Sequence, residues 1–130
     1  MRVTNFSDYS LRTLIYLNRA KRLVTLNELA EKLHVSRNHL IKVVIRLTRE
    51  GYIESVRGRN GGLAIASNAG ILKLGDILLS TEEGFDLAEC FRNPQTECPF
   101  FPKCKLKQTL NQALNAFIAT LNQRTLDDVS

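Results

Sequence analysis

Residues 25–51 read TLNELAEKLHVSRNHLIKVVIRLTREG, and this stretch predicts two helices joined by a tight turn. Thr25 and Glu28 have the spacing of a capping box, and apolar residues recur behind them at helical intervals. Ser36 can cap the second helix of the pair, and Gly51 can end it. Two capped helices separated by so short a break are typical of a helix-turn-helix.

The pattern changes from helical to alternating directly after this stretch. Residues 52–57 and 63–66 predict two strands on either side of the Gly-rich tip GRNGG at 58–62. A hairpin that follows a recognition helix is a wing. Further helices are expected on both sides of this unit, at residues 7–19 and 74–80. The sequence therefore predicts a mainly α fold with a small β-hairpin wing, a winged helix-turn-helix.

Positive charge is concentrated in the first half of the chain. Residues 1–66 contain 12 Lys and Arg against 5 Asp and Glu, which is a net +7, whereas residues 67–130 contain 6 against 8, which is −2. The basic half is therefore the half expected to bind a polyanion such as DNA.

The candidate DNA-reading residues lie on the predicted recognition helix and the wing. Arginine and asparagine are the types that bind guanine and adenine edges bidentately, and recognition helices place their N-terminal residues against base edges. Lysine and arginine further along are expected to meet phosphates, and arginines at a wing tip suit the minor groove or its phosphates. These candidates are Arg37, Asn38, His39, Lys42 and Arg46 on the helix, with Arg57 and Arg59 in the wing.

Three cysteines, Cys90, Cys98 and Cys104, lie in a segment that also contains prolines and phenylalanines. The number of cysteines is odd, and the start of the chain does not resemble a secretory signal. Both observations favour metal or redox chemistry in a reducing cytosol over disulfides. Four interpretations remain open from the residues alone: an iron–sulfur cluster, a structural zinc ion, a thiol switch, or buried structural cysteines. The histidines His34 and His39 fall in the helix-turn-helix, so the segment itself does not supply a fourth ligand.

A long amphipathic helix is predicted from the last cysteine to about residue 123. Its apolar stripe is too large for a solitary helix and is expected to pack on a second copy of the chain. The expected division is a DNA-binding domain over residues 1–80, a cysteine-bearing cluster loop over 81–104, and a dimerisation helix and tail over 105–130. No apolar run approaches the roughly 20 residues of a membrane span, and a cytoplasmic location is expected.

Four motifs together resemble the Rrf2 family of bacterial winged-helix regulators, and the match covers nearly the whole chain. They are DYSLR at 8–12, SRNHLIKV at 36–43, VRGRNGGL at 56–63, and the cysteine segment followed by LKQ at 106–108. Within the family, the chain is most similar to repressors that sense nitric oxide.

This resemblance implies a homodimer with crossing C-terminal helices, bound to a palindromic operator. It also implies an iron–sulfur cluster, of the 4Fe-4S rather than the 2Fe-2S type, held by Cys90, Cys98 and Cys104. Asp8 from the first helix of the other subunit would complete the site. Nitrosylation of the cluster would then release operator DNA and end repression.

Two departures bear on the signal. A related regulator of iron–sulfur assembly has a histidine three places after the last cysteine, where this chain has Lys107. The gap between Cys90 and Cys98 also resembles that of members that sense iron availability, so iron or redox state is the alternative signal. Two other functions are alternatives, an electron-transfer protein with an acidic partner and a regulator without metal. No enzyme constellation is present, since there is neither a nucleophile–His–acid set nor a phosphate loop.

Overall fold

The computed structural model describes residues 1–93 and 97–130, so residues 94–96 of the predicted cluster loop, Pro94 included, lie outside the described part. The described chain is mainly helical with a two-stranded antiparallel hairpin, which confirms the predicted fold class. Its elements are α1 (Asn5–Ala20), α2 (Leu26–Leu33), α3 (Arg37–Arg49), β1 (Ile53–Val56), β2 (Gly62–Ile65), a 3-10 turn (Ala69–Ile71), α4 (Leu74–Thr81), α5 (Glu89–Arg92), α6 (Lys105–Leu121) and α7 (Leu126–Val129).

Hydroxyl caps begin the helices of the helix-turn-helix. The Thr25 hydroxyl accepts a hydrogen bond from the Glu28 N–H at 3.1 Å, and the Ser36 hydroxyl accepts one from the His39 N–H at 3.3 Å. His34 ends α2 in the left-handed conformation, with a φ of 53°. His34 and the Ser36 cap bound the turn between α2 and α3, and so set the direction in which α3 leaves it.

The capping box expected at Thr25 is only half formed. The Glu28 carboxylate instead accepts hydrogen bonds from Arg22 Nη2 at 2.6 Å and from Tyr16 Oη at 2.8 Å. The sequence pattern could not show this, because Arg22 and Tyr16 approach Glu28 only after α1 and α2 have packed together.

A single hydrophobic core holds α1, α2, α3 and the hairpin together. Leu14, Leu29, Leu40 and Val43 are fully buried in it. Leu126 of α7 is also fully buried in the same core. The tail, grouped with the dimerisation helix in the sequence-based division, therefore packs back on the DNA-binding unit.

The hairpin is attached to the start of α2 by backbone pairing. Val24 and Leu63 exchange two N–H to carbonyl hydrogen bonds of 2.8 Å. A Cβ atom at Gly62 would lie 2.9 Å from the Val24 carbonyl oxygen, so this close approach requires glycine. The wing is thus fixed relative to α2 and α3.

Helix α6 is the most exposed long element of the chain. None of its residues is buried, and Leu106 is 67% exposed. At its C-terminal end, Asn122 Nδ2 donates to Asp76 Oδ1 at 3.0 Å, which joins α6 to α4. Among the described residues, no helix is both long enough and apolar enough to cross a membrane.

Candidate DNA interface and cysteine site

Helix α3 separates its buried and exposed faces as the sequence predicts. Leu40, Val43 and Leu47 are fully buried on one side. Four of the candidate DNA-binding residues, Arg37, Asn38, His39 and Lys42, are exposed on the rest of the helix. In the wing, Arg57 and Arg59 are exposed on either side of Gly58, whose φ of 112° requires glycine. Both elements therefore present cations and hydrogen-bond donors to solvent.

Arg46 differs from the other candidates because its guanidinium is already engaged within the chain. Its Nε lies 3.0 Å from Glu50 Oε1, and its Nη2 donates to the Ser80 carbonyl at 2.5 Å. Arg46 thus links α3 to the end of α4. A phosphate contact from Arg46 stays a prediction, and it would require at least part of this arrangement to change.

Asp8 lies in the first turns of α1 and is half exposed. Its Oδ2 accepts a hydrogen bond from Arg12 Nη2 at 2.8 Å. Arg12 also donates to the Leu33 carbonyl at 3.3 Å and lies over the Tyr9 ring at 5.0 Å. The Tyr9 ring is in turn 5.9 Å from the His39 ring. A short series of contacts therefore connects Asp8 to the end of α2 and the first turn of α3.

The three cysteines are free and half buried, and they lie on three different local structures. Cys90 belongs to the short helix α5. Cys98 precedes a turn in which its carbonyl accepts a hydrogen bond from the Phe101 N–H at 3.1 Å. Cys104 caps α6, and its Sγ accepts a hydrogen bond from the Lys107 N–H at 3.4 Å.

Lys107 joins two of the three cysteine positions. Beyond the bond to Cys104, its Nζ donates to the Cys90 carbonyl at 2.9 Å and lies 5.5 Å from the centre of the Phe91 ring. From the sequence, Lys107 is part of the family-like LKQ motif and stands where a related regulator has a histidine, with no contact to the cysteines predicted for it. The sequence feature that could have predicted the contact with Cys104 is the position of Lys107 three residues after a cysteine at a helix start.

The donor set suits an iron–sulfur cluster, since three half-buried thiols meet the need for soft ligands. In the described ranges 1–93 and 97–130, however, no three His, Cys, Asp or Glu side chains are gathered as a metal site. Asp8 is held by Arg12 rather than by the cysteines. The candidate ligands are thus not gathered in one place within the described part of a single chain.

A cleft of about 1060 Å³ separates the recognition helix from the start of the cysteine segment. The start of α1 also borders it, and the Thr4 N–H donates to Glu82 Oε1 at 2.8 Å there. Its walls include Lys42, Ile45 and Arg49 from α3, and Phe85, Phe91 and Arg92 from the opposite side. The start of the cysteine segment and the exposed side of α3 thus face each other across this cleft.

Comparison with known proteins gives consistent matches over nearly the whole chain. The model of the Rrf2 family, described as an iron-dependent transcriptional regulator, matches residues 3–130. The HTH-type transcriptional regulator NsrR of Bacillus licheniformis is 40% identical over 131 residues, which cover 99% of this chain and 92% of that protein. The protein of the same name from Bacillus subtilis is also 40% identical, with 99% and 90% covered.

A solved structure supports the same assignment. The crystal structure of oxidised Staphylococcus aureus CymR superimposes with a TM-score of 0.74 at 26% identity, covering 99% of this chain and 95% of that one. The curated relatives are named as transcriptional regulators, which bind DNA and are not enzymes. The chain belongs to the Rrf2 family of transcriptional regulators.

Proposed function

We propose that this regulator is a repressor that senses nitric oxide through an iron–sulfur cluster and releases operator DNA in response. The observation that carries the proposal is that all three cysteines of the chain lie in one segment, whose first part faces α3 across the cleft. The 40% identity to proteins named NsrR supports the choice of signal. Binding to DNA places the regulator in the cytoplasm.

The proposed ligands are Cys90, Cys98 and Cys104 of one chain and Asp8 of the partner subunit. Three thiolates and one further ligand are a sufficient set for a 4Fe-4S cluster. A bound cluster supplies iron with which nitric oxide reacts. Asp8 is the ligand expected to leave first, because a carboxylate is a harder and weaker partner for iron than a thiolate.

Residues of α1 provide a route from the cluster site to the DNA-binding surface. When Asp8 leaves, its carboxylate can form the ion pair with Arg12 that this structure contains. Arg12 contacts the Leu33 carbonyl and the Tyr9 ring, and Tyr9 contacts His39 of α3. The exchange of partners at Asp8 therefore biases the position of α3 through direct contacts.

The proposed active form is a homodimer whose two recognition helices bind a palindromic operator. The apolar stripe of α6 supports dimerisation, since Leu106 is exposed and the other large apolar residues of the stripe are only half buried within one chain. Dimers of helix-turn-helix proteins bind half-sites about one helical turn apart, roughly 34–36 Å. Ligation by Asp8 across the dimer would couple the cluster site to that spacing.

Purification without oxygen, followed by absorbance and native mass spectrometry, tests the cluster directly. We expect a coloured dimer with iron and sulfide bound, and a less stable or differently responding cluster in Asp8→Ala. The matched control is Asp86→Ala, which changes a carboxylate of the cleft outside the proposed ligand set. A colourless, iron-free dimer would sink the cluster proposal, and an Asp8→Ala protein identical to wild type would exclude Asp8.

Iron availability is the second candidate signal. The description of the family as iron-dependent favours it. Under this alternative, DNA affinity would fall when a chelator removes iron and would not respond to nitric oxide added to the intact protein. The two signals are thus separated by one titration with each reagent.

A further inference from the structure

Two isoleucines are exposed on the recognition helix beside the wing. Ile41 is 41% exposed and Ile45 is 54% exposed, and they lie one turn apart on α3. Val56 of β1 is 49% exposed and lines the same apolar groove of about 290 Å³ between α3 and the hairpin. Single exposed apolar side chains are ordinary, but here three of them border one groove and form a small apolar patch beside the wing.

The surroundings of this patch point to DNA. Ile41 lies one turn after Asn38, and Ile45 lies between Lys42 and Arg49 along the exposed side of the helix, since residues three or four apart are neighbours. These cations attract a polyanion. The patch is therefore continuous with the DNA-binding face of α3.

Base edges offer few apolar groups to such a patch. In the major groove, the thymine C5-methyl is the apolar feature that distinguishes one base pair from another. Phosphates and the donors and acceptors of other bases would leave the isoleucine side chains without a favourable partner.

We infer that Ile41 and Ile45 read thymine C5-methyl groups, so that the operator carries thymines where these two side chains meet the major groove. This inference rests on the proposed entry of α3 into that groove. It adds apolar readout to the polar readout expected from Arg37 and Asn38.

The test uses a duplex selected from a random pool with the intact dimer, purified without oxygen. Each thymine is then replaced in turn by deoxyuridine, which removes only the methyl group. Wild type should bind about fourfold more weakly for each contacted methyl that is lost. For each alanine variant, Ile41→Ala or Ile45→Ala, one thymine position should lose its effect. At the position that the removed side chain would contact, the variant should bind the thymine duplex and the deoxyuridine duplex with equal affinity.

Ile71→Ala is the matched control, because Ile71 is 74% exposed in the 3-10 turn and outside α3. It should discriminate between thymine and deoxyuridine as wild type does. The inference is overturned if deoxyuridine is neutral at every position for wild type, or if both alanine variants keep full discrimination. A protein that selects no duplex at all would overturn the proposed function as well.

Discussion

Lys107 is the residue whose structural role departs most from its sequence-based interpretation. From the sequence, it is a residue of the LKQ motif that stands in the place of a related regulator's histidine. Here its ammonium group binds the Cys90 carbonyl and its N–H binds Cys104 Sγ. Lys107 thereby holds α5 against the first turn of α6.

Lys107→Met should loosen the attachment of α5, because methionine keeps the aliphatic side chain and the backbone N–H but cannot donate to Cys90. We expect a local loss of about 1 kcal/mol, hence roughly fivefold faster alkylation of Cys90 in the metal-free, reduced protein. Peptide mass spectrometry of alkylated Cys90 measures this rate. The control is Lys105→Met, which changes an exposed neighbour. Equal rates in the two variants would contradict the positioning role of Lys107.

Glu28 predicts how the stability of the helix-turn-helix depends on pH. Hydrogen bonds from Arg22, which has the larger effect, and from Tyr16 lower the pKa of Glu28 from an ordinary 4.5 to about 2. Since the folded pKa lies below the unfolded one, this stabilisation is complete above pH 4.5 and is lost as the pH falls toward 2.

Glu28→Gln should therefore lower the melting temperature of the metal-free protein at pH 6, and the difference from wild type should shrink steadily as the pH falls from 4.5 toward 2. Thermal unfolding followed by circular dichroism across that range provides the measurement. Glu31→Gln, an exposed change on the same helix, is the control. A difference that stays constant with pH would show that the Glu28 carboxylate does not act through its charge.

At the scale of elements, local sequence signals predicted the helices that position the DNA-binding face. The hydroxyl caps at Thr25 and Ser36 and the apolar periodicity behind them correspond to α2 and α3 as found. The glycines around the hairpin tip likewise mark the wing. These signals work because each depends on residues within one or two turns of one another.

The elements that sequence analysis missed are the short ones. Helices α5 and α7 contain four residues each, which is too few to show a period. The contacts of Arg46 with Ser80 and of Lys107 with Cys90 join residues that are 34 and 17 positions apart in sequence. Such contacts depend on tertiary packing, so they cannot be predicted from local sequence patterns.

Substitutions on the exposed face of α3 should have two different effects on DNA binding, a loss of sequence preference or a loss of affinity on all sequences. Arg37→Ala and Asn38→Ala should each relax sequence preference by about 1–3 kcal/mol, because they remove contacts to base edges. Lys42→Ala should weaken binding about equally on all sequences, because a phosphate contact carries no sequence information. Affinities for the selected duplex and for single-base variants of it, measured at one salt concentration, separate these effects. A uniform loss for all three variants would refute the assigned roles.

At the scale of the whole molecule, one chain forms its own hydrophobic core but leaves the long helix α6 without a buried residue. The core includes Leu126 from the C-terminal end, so α7 anchors the chain after α6. Helix α6 itself buries none of its residues. One chain thus leaves the apolar stripe of α6 half buried and the proposed ligands apart, and a second subunit is expected to cover the stripe and complete the ligand set.

Leu114→Glu should convert the dimer to a monomer without unfolding the chain. Leu114 lies on the apolar stripe of α6 but is not buried within one subunit. Burying a carboxylate in a dimer interface should raise the dissociation constant at least about 100-fold. Sedimentation velocity measures the shift, with Asn115→Glu on the exposed face of α6 as the control. A Leu114→Glu protein that remains dimeric, or a monomeric wild type, would exclude this interface.

The response of DNA affinity to nitric oxide tests the central claim most directly. Protein purified without oxygen is bound to its selected duplex, and fluorescence anisotropy is recorded before and after addition of nitric oxide. Wild type should lose affinity by roughly tenfold or more, a typical size for coupling between two sites, whereas Cys98→Ser, lacking a proposed ligand, should not respond. Equal affinity of wild type before and after nitric oxide would contradict the account.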